Sequence, residues 1–114
     1  MKKNIIQDKS FDFALQVIGL YQWLVDNREY ILSKQVLRSG TSIGACVEEG
    51  LAAESRKDFV HKMSIAAKEA RETRYWLRLL QRSQLVPMDY TTYLNEINHI
   101  TRLLTRIVKS TKEG

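Results

Sequence analysis

The chain has 114 residues, 44% hydrophobic and 27% charged, with five glycines and one proline; this is the make-up of one globular domain over residues 1–114, too short to divide and too apolar to be disordered. Eighteen Lys and Arg against thirteen Asp and Glu leave a net charge of +5, a bias toward anionic partners that decides nothing alone. No apolar run approaches the ~20 residues of a membrane span, the first residues lack the apolar stretch of a signal peptide, and Cys46 is the lone cysteine, so the expected setting is the reducing cytoplasm, away from membranes.

Apolar residues recur at helical spacing in four stretches, with no strand-like alternation. The first covers roughly residues 10–26: Ser10 reads as an N-cap, and Phe13, Val17, Leu20 and Leu24 form one stripe. Phe11, Leu15, Ile18 and Val25 form a second stripe nearly opposite, so this helix is apolar around most of its circumference. The second stretch, roughly 33–53, starts after Ser33 and turns Val36, Leu37, Gly40, Ile43, Val47 and Leu51 inward. Its Gly40, Gly44 and Ala45 are small enough to admit a neighbouring helix. The segment from Arg38 to Gly44 also has the glycines and hydroxyls of an anion-binding turn. It lacks the Gly-Lys-Ser/Thr ending of a P-loop, and packing is the stronger reading.

The third stretch, roughly 55–84, opens with Ser55 as cap and Asp58 in the first turn. Phe59, Met63, Ala66, Ala70, Thr73, Leu77 and Leu80 trace its inner stripe over roughly 40 Å. Pro87 and Asp89 introduce the fourth, roughly 89–110, with Tyr90, Tyr93, Leu94, Ile97, Ile100, Leu104, Ile107 and Val108 inward. Residues 109–114 are expected to fray. Four such helices with short connections predict an all-α, antiparallel up-down-up-down four-helix bundle.

Between Arg38 and Leu80 the chain resembles the four-helix-bundle family encoded by intervening sequences of bacterial 23S ribosomal RNA genes. The resemblance is carried by Arg38-Ser39-Gly40-Thr41-Ser42-Ile43-Gly44-Ala45, by Glu49-Gly50, and by Lys57-Asp58-Phe59 running through Lys62-Met63 to Ile65-Ala66. It continues through Lys68-Glu69-Ala70-Arg71-Glu72-Thr73 and Tyr75-Trp76-Leu77. It implies an up-down bundle that assembles into a ring, pentameric among relatives, and a kinship with the accessory variability protein of diversity-generating retroelements, which binds nucleic acid and a reverse transcriptase. It brings no settled activity. Cys46 departs from the pattern, because relatives commonly carry Asn there.

On the third helix Lys57, His61, Lys68, Arg71, Tyr75, Arg78 and Arg82 recur at steps of three, four or seven, opposite Phe59, Ala70 and Leu77. Arg102, Arg106 and Lys109 make a shorter ridge on the fourth. Such a ridge fits RNA or DNA, since each neutralised phosphate releases counterions, and Tyr75 offers a face for a base. The same residues equally describe the solvated side of an ordinary helix, and a ring would concentrate their field.

Ile65, Trp76 and Leu79 lie off the inner stripe beside Glu69 and Glu72. With Phe11, Leu15 and Ile18 they give the bundle two surplus apolar surfaces, which predicts a homo-oligomer whose Glu69 and Glu72 meet cations of a neighbouring subunit. A protein-protein adaptor with no nucleic-acid role is the alternative.

Catalysis finds no constellation. Glu96-Ile97-Asn98-His99 and Asp58-Phe59-Val60-His61 have the spacing of di-metal ligands, yet neither histidine projects toward the inner stripes, so no metal, cofactor or small-molecule substrate is expected. Cys46 stands beside Glu48 and Glu49, which disfavour a thiolate.

Overall fold

The Asn4 side chain accepts the Gln7 N–H at 3.0 Å, and the first helix, α1 (Ile5–Asp26), begins there. The expected start at Ser10 is therefore corrected: Ser10 is buried inside α1, and its hydroxyl donates to the Gln7 carbonyl at 3.2 Å. The computed structural model describes residues 4–113 and holds three further helices, α2 (Leu32–Leu51), α3 (Arg56–Ser83) and α4 (Thr91–Glu113).

The cap of α2 also differs from the sequence reading. Glu29, only 7% exposed, accepts the N–H groups of Ile31, Leu32 and Ser33 at 3.2, 2.8 and 2.6 Å. A carboxylate satisfies the orphan donors of a helix start and is favoured there by the helix dipole, and α2 begins at Leu32, one residue ahead of Ser33. Arg28, with φ 64°, turns the chain back so that Glu29 can reach it. α3 begins as its sequence predicts, with Ser55 accepting the Asp58 N–H at 3.0 Å. α4 runs to Glu113, past the expected end near residue 110; Gly114, the last residue of the tail expected to fray, lies outside the described residues.

The pairing of helices is read from contacts that run in opposite directions along the chain. From Ser10 against Gly44 to Val17 against Gly40, numbers rise on α1 and fall on α2. α3 returns along α2, with Met63 beside Gly50 and the Thr73 hydroxyl donating to Ser39 Oγ at 2.8 Å. Arg56 of α3 donates to the carbonyl of Thr111 at the far end of α4, and Lys9 of α1 meets Glu96 of α4 at 3.4 Å. Neighbouring helices touch around a square whose diagonals stay apart. The result is an all-α, up-down-up-down four-helix bundle measuring 45 × 23 × 23 Å.

Its core holds the stripes that spacing identified: Phe13, Val17, Leu20 and Leu24 of α1, Val36, Ile43 and Val47 of α2, Met63, Ala66, Ala70, Leu77 and Leu80 of α3, and Ile97, Ile100 and Leu104 of α4. Tyr90 closes one end and donates its hydroxyl to the Val86 carbonyl at 2.8 Å. Gly40 packs under Val17 so tightly that a Cβ there would lie 2.8 Å from Val17 Cγ2, which accounts for the small residues of α2 by helix approach. Leu37, Phe59, Tyr93, Leu94, Ile107 and Val108, expected inward, sit half-buried at the core's margin, and Leu51, the last residue of α2, is exposed.

Candidate nucleic-acid interface

Formal charge is divided unevenly among the helices. α3 carries eight Lys and Arg against three Asp and Glu, and α4 four against two, whereas α1 carries one against three. The bundle is therefore positive along α3 and α4 and negative along α1. On α3 Lys57, His61, Lys68, Arg71, Tyr75, Arg78 and Arg82 are all exposed, as are Arg102, Arg106 and Lys109 on α4.

Antiparallel packing brings the two basic helices together in one groove of about 400 Å³. Lys68 and Arg71 line it from α3, Lys109 and Lys112 from α4, with Ser64 and Thr105 offering hydroxyls and Ala67 and Val108 apolar surface. Among the described residues none of these four cations has a carboxylate within ion-pair distance, whereas Lys9, Arg38 and Lys62 do. Four unpaired cations on two facing helices suit a ligand that brings its own negative charges.

The structure divides the ridges drawn from sequence. Arg106 lines a second depression with Leu103, Ser110 and Glu113, and Lys109 borders both it and the groove; Arg102, a turn before Arg106, is exposed too. Neither arginine enters the α3–α4 groove. Lys112, read as part of a frayed tail, does enter it because α4 continues. Arg74 is exposed one step from both Arg71 and Arg78 and extends the basic flank of α3. The steps of three and four from Lys109 to Lys112 and from Arg71 to Arg74 and Arg78 were the available signals.

The predicted association surface is only partly free. Phe11, Leu15 and Ile18 stand 60%, 55% and 41% exposed in a row on α1. Trp76 is instead half-buried against the core and donates its indole N–H to Glu72 at 3.0 Å; Ile65 and Leu79 are half-buried too. Glu72 and Glu69 are both engaged by Arg38 of α2, the latter at 3.5 Å, so their carboxylates have a cation within the same chain. Tyr75 presents a 52% exposed ring, braced edge-on by Trp76 with centroids 5.2 Å apart.

Neither histidine enters the core: His61 is exposed and His99 half-buried. Among the described residues no three of His, Cys, Asp and Glu gather at metal-binding distance. Burial raises the thiol pKa of Cys46 first, and Glu49 and Glu69 raise it further against the pull of Lys62. No described helix is long and apolar enough to cross a membrane.

No curated protein matches the chain. A solved structure of a protein with unknown function from the S23 ribosomal protein family of Bacteroides thetaiotaomicron is similar at 46% identity and a TM-score of 0.87, over 91% of this chain and 98% of that one. The model of the 23S rRNA-intervening sequence protein family matches residues 2–106, and with that extent of match the chain belongs to this family.

Proposed function

We propose that this protein is a non-enzymatic cytoplasmic bundle that associates with copies of itself and binds RNA or DNA along its α3–α4 face. The observation that carries the reading is the groove that Lys68 and Arg71 line from α3 and Lys109 and Lys112 from α4, with no ion pair to any of them among the described residues. Exposed like charges repel and confer nothing on the bundle itself, whereas a phosphate backbone laid along them releases its condensed counterions. Self-association adds to this. The Phe11, Leu15 and Ile18 stripe is an apolar surface of the sort that a second protein surface covers, and a ring, pentameric as the family resemblance implies, would repeat the positive groove around an axis. Kinship with the retroelement accessory protein belongs to the same proposal.

The test is retention of structured RNA and of DNA by the purified full-length chain at low and at moderate salt. Binding that weakens steeply with salt and is lost on joint replacement of Lys68, Arg71, Lys109 and Lys112 by alanine is expected. Absence of retention at low salt overturns the nucleic-acid reading and leaves the adaptor alternative, in which the α1 stripe receives another protein.

A further inference from the structure

We propose that the α3–α4 face selects single-stranded over double-stranded nucleic acid, with Tyr75 as the platform for one unpaired base and the groove cations as the seat of the adjoining phosphates. The inference rests on the nucleic-acid reading above and assigns its substrate class.

Tyr75 stands on the exposed line of α3, one turn beyond Arg71 and just short of a turn before Arg78. Those two arginines are separated by about 10 Å of helix rise, which leaves room between their guanidinium groups for one flat ring. The tyrosine is 52% exposed and is held rather than loose. Trp76 meets it edge-on with an interplanar angle of 67°, and the Trp76 indole is fixed through Glu72, which Arg38 in turn holds. A braced aromatic face between two cations is the arrangement that stacks a base while its flanking phosphates are neutralised, and it tolerates any sequence because every base has a π-face.

The groove below points the same way. Ala67 and Val108 add apolar surface to its lining. A duplex presents phosphates outward and keeps its bases stacked inside, so it has no free base face to place on a bare tyrosine. An unpaired strand has one, a base that can leave its neighbours and stack on the ring while its sugars pass over the lining.

The full-length chain is titrated with three probes of matched length: a single-stranded RNA, the same RNA as a duplex, and inorganic polyphosphate, which has charge but no bases. Expected are tighter binding of the single strand than of the duplex, a loss of about tenfold for the single strand in Tyr75→Ala, near-complete retention in Tyr75→Phe, and no effect of either change on duplex or polyphosphate. Tyr75 is exposed, so both variants are expected to keep wild-type helicity and mass, which circular dichroism and light scattering check. If single strand and duplex bind alike and Tyr75→Ala changes neither, while alanine at Lys68 and Arg71 weakens both, strand selection is overturned and nucleic-acid binding stands. If polyphosphate binds and neither RNA does, both fall.

Discussion

The Ser33 N–H donates to the Glu29 carboxylate at 2.6 Å, and the Ser33 hydroxyl donates back to the Glu29 carbonyl at 2.8 Å. This reciprocal pair joins the α1–α2 turn to the first turn of α2, and the remaining carboxylate oxygen takes Ile31 and Leu32. Replacing Glu29 by alanine leaves buried donors without an acceptor, at a cost of about 1–3 kcal/mol. Glu29→Gln keeps one acceptor oxygen and loses less. Denaturant midpoints at one fixed protein concentration measure both, since association would otherwise shift them.

Gly40 and Gly19 predict opposite signs for one substitution. A Cβ at Gly40 would meet Val17, whose β-branched side chain is buried and has no rotamer to escape into; Gly40→Ala therefore destabilises by about 1–3 kcal/mol despite its better helix propensity. A Cβ at Gly19 meets nothing within 4 Å. Gly19→Ala gains about 0.5–1 kcal/mol from backbone entropy alone. Thermal or chemical unfolding of the two variants side by side decides it.

These two positions also show what the sequence makes readable. Burial of Val17 and Ile43 follows from steps of three and four, because helix period and core direction are local properties. Glu29 as a cap was not readable, since it lies three residues before the helix and a left-handed Arg28 brings it back. The engagement of Glu69 and Glu72 by Arg38, and the entry of Lys112 into the groove that Lys68 lines, depend on the register between helices, which no single stretch encodes. The exposure of Phe11, Leu15 and Ile18 was readable as a surplus stripe, whereas the half-burial of Trp76 depends on how α2 and α3 pack.

The α1 stripe yields a direct expectation for association. Leu15 lies between Phe11 and Ile18 and is 55% exposed, so Leu15→Arg places a charge in the middle of the surface without touching the core. Wild-type protein at micromolar concentration is expected to show an oligomer by light scattering, and the variant a single subunit with unchanged helicity. A wild-type mass of one subunit would remove self-association.

Cys46 is half-buried, and burial is the main reason its thiol holds its proton to higher pH, with Glu49 and Glu69 acting in the same direction. Because the thiolate is the reacting species, alkylation by iodoacetamide near pH 8 is expected to run slower in the folded protein than in denaturant. Glu49→Gln removes one of the charges that disfavour the thiolate and is expected to speed the reaction. Equal rates in the folded and denatured protein would contradict the shift.

The salt dependence of binding separates cations that contact phosphate from those that serve the bundle. On a plot of log affinity against log salt, each phosphate contact contributes a slope of about 0.7 for a single strand and about 0.9 for a duplex. Lys68→Ala and Lys112→Ala each remove one unpaired groove cation, so each is expected to flatten the slope by about that amount while leaving unfolding midpoints nearly unchanged. Arg38→Ala removes an equal charge, but that charge is already spent on Glu69 and Glu72. Its removal also frees two carboxylates on α3, so affinity falls through repulsion without a full contact's change in slope. An Arg38 variant that flattens the slope as much as Lys68→Ala would shift the phosphate path from the α3–α4 groove to the α2–α3 side.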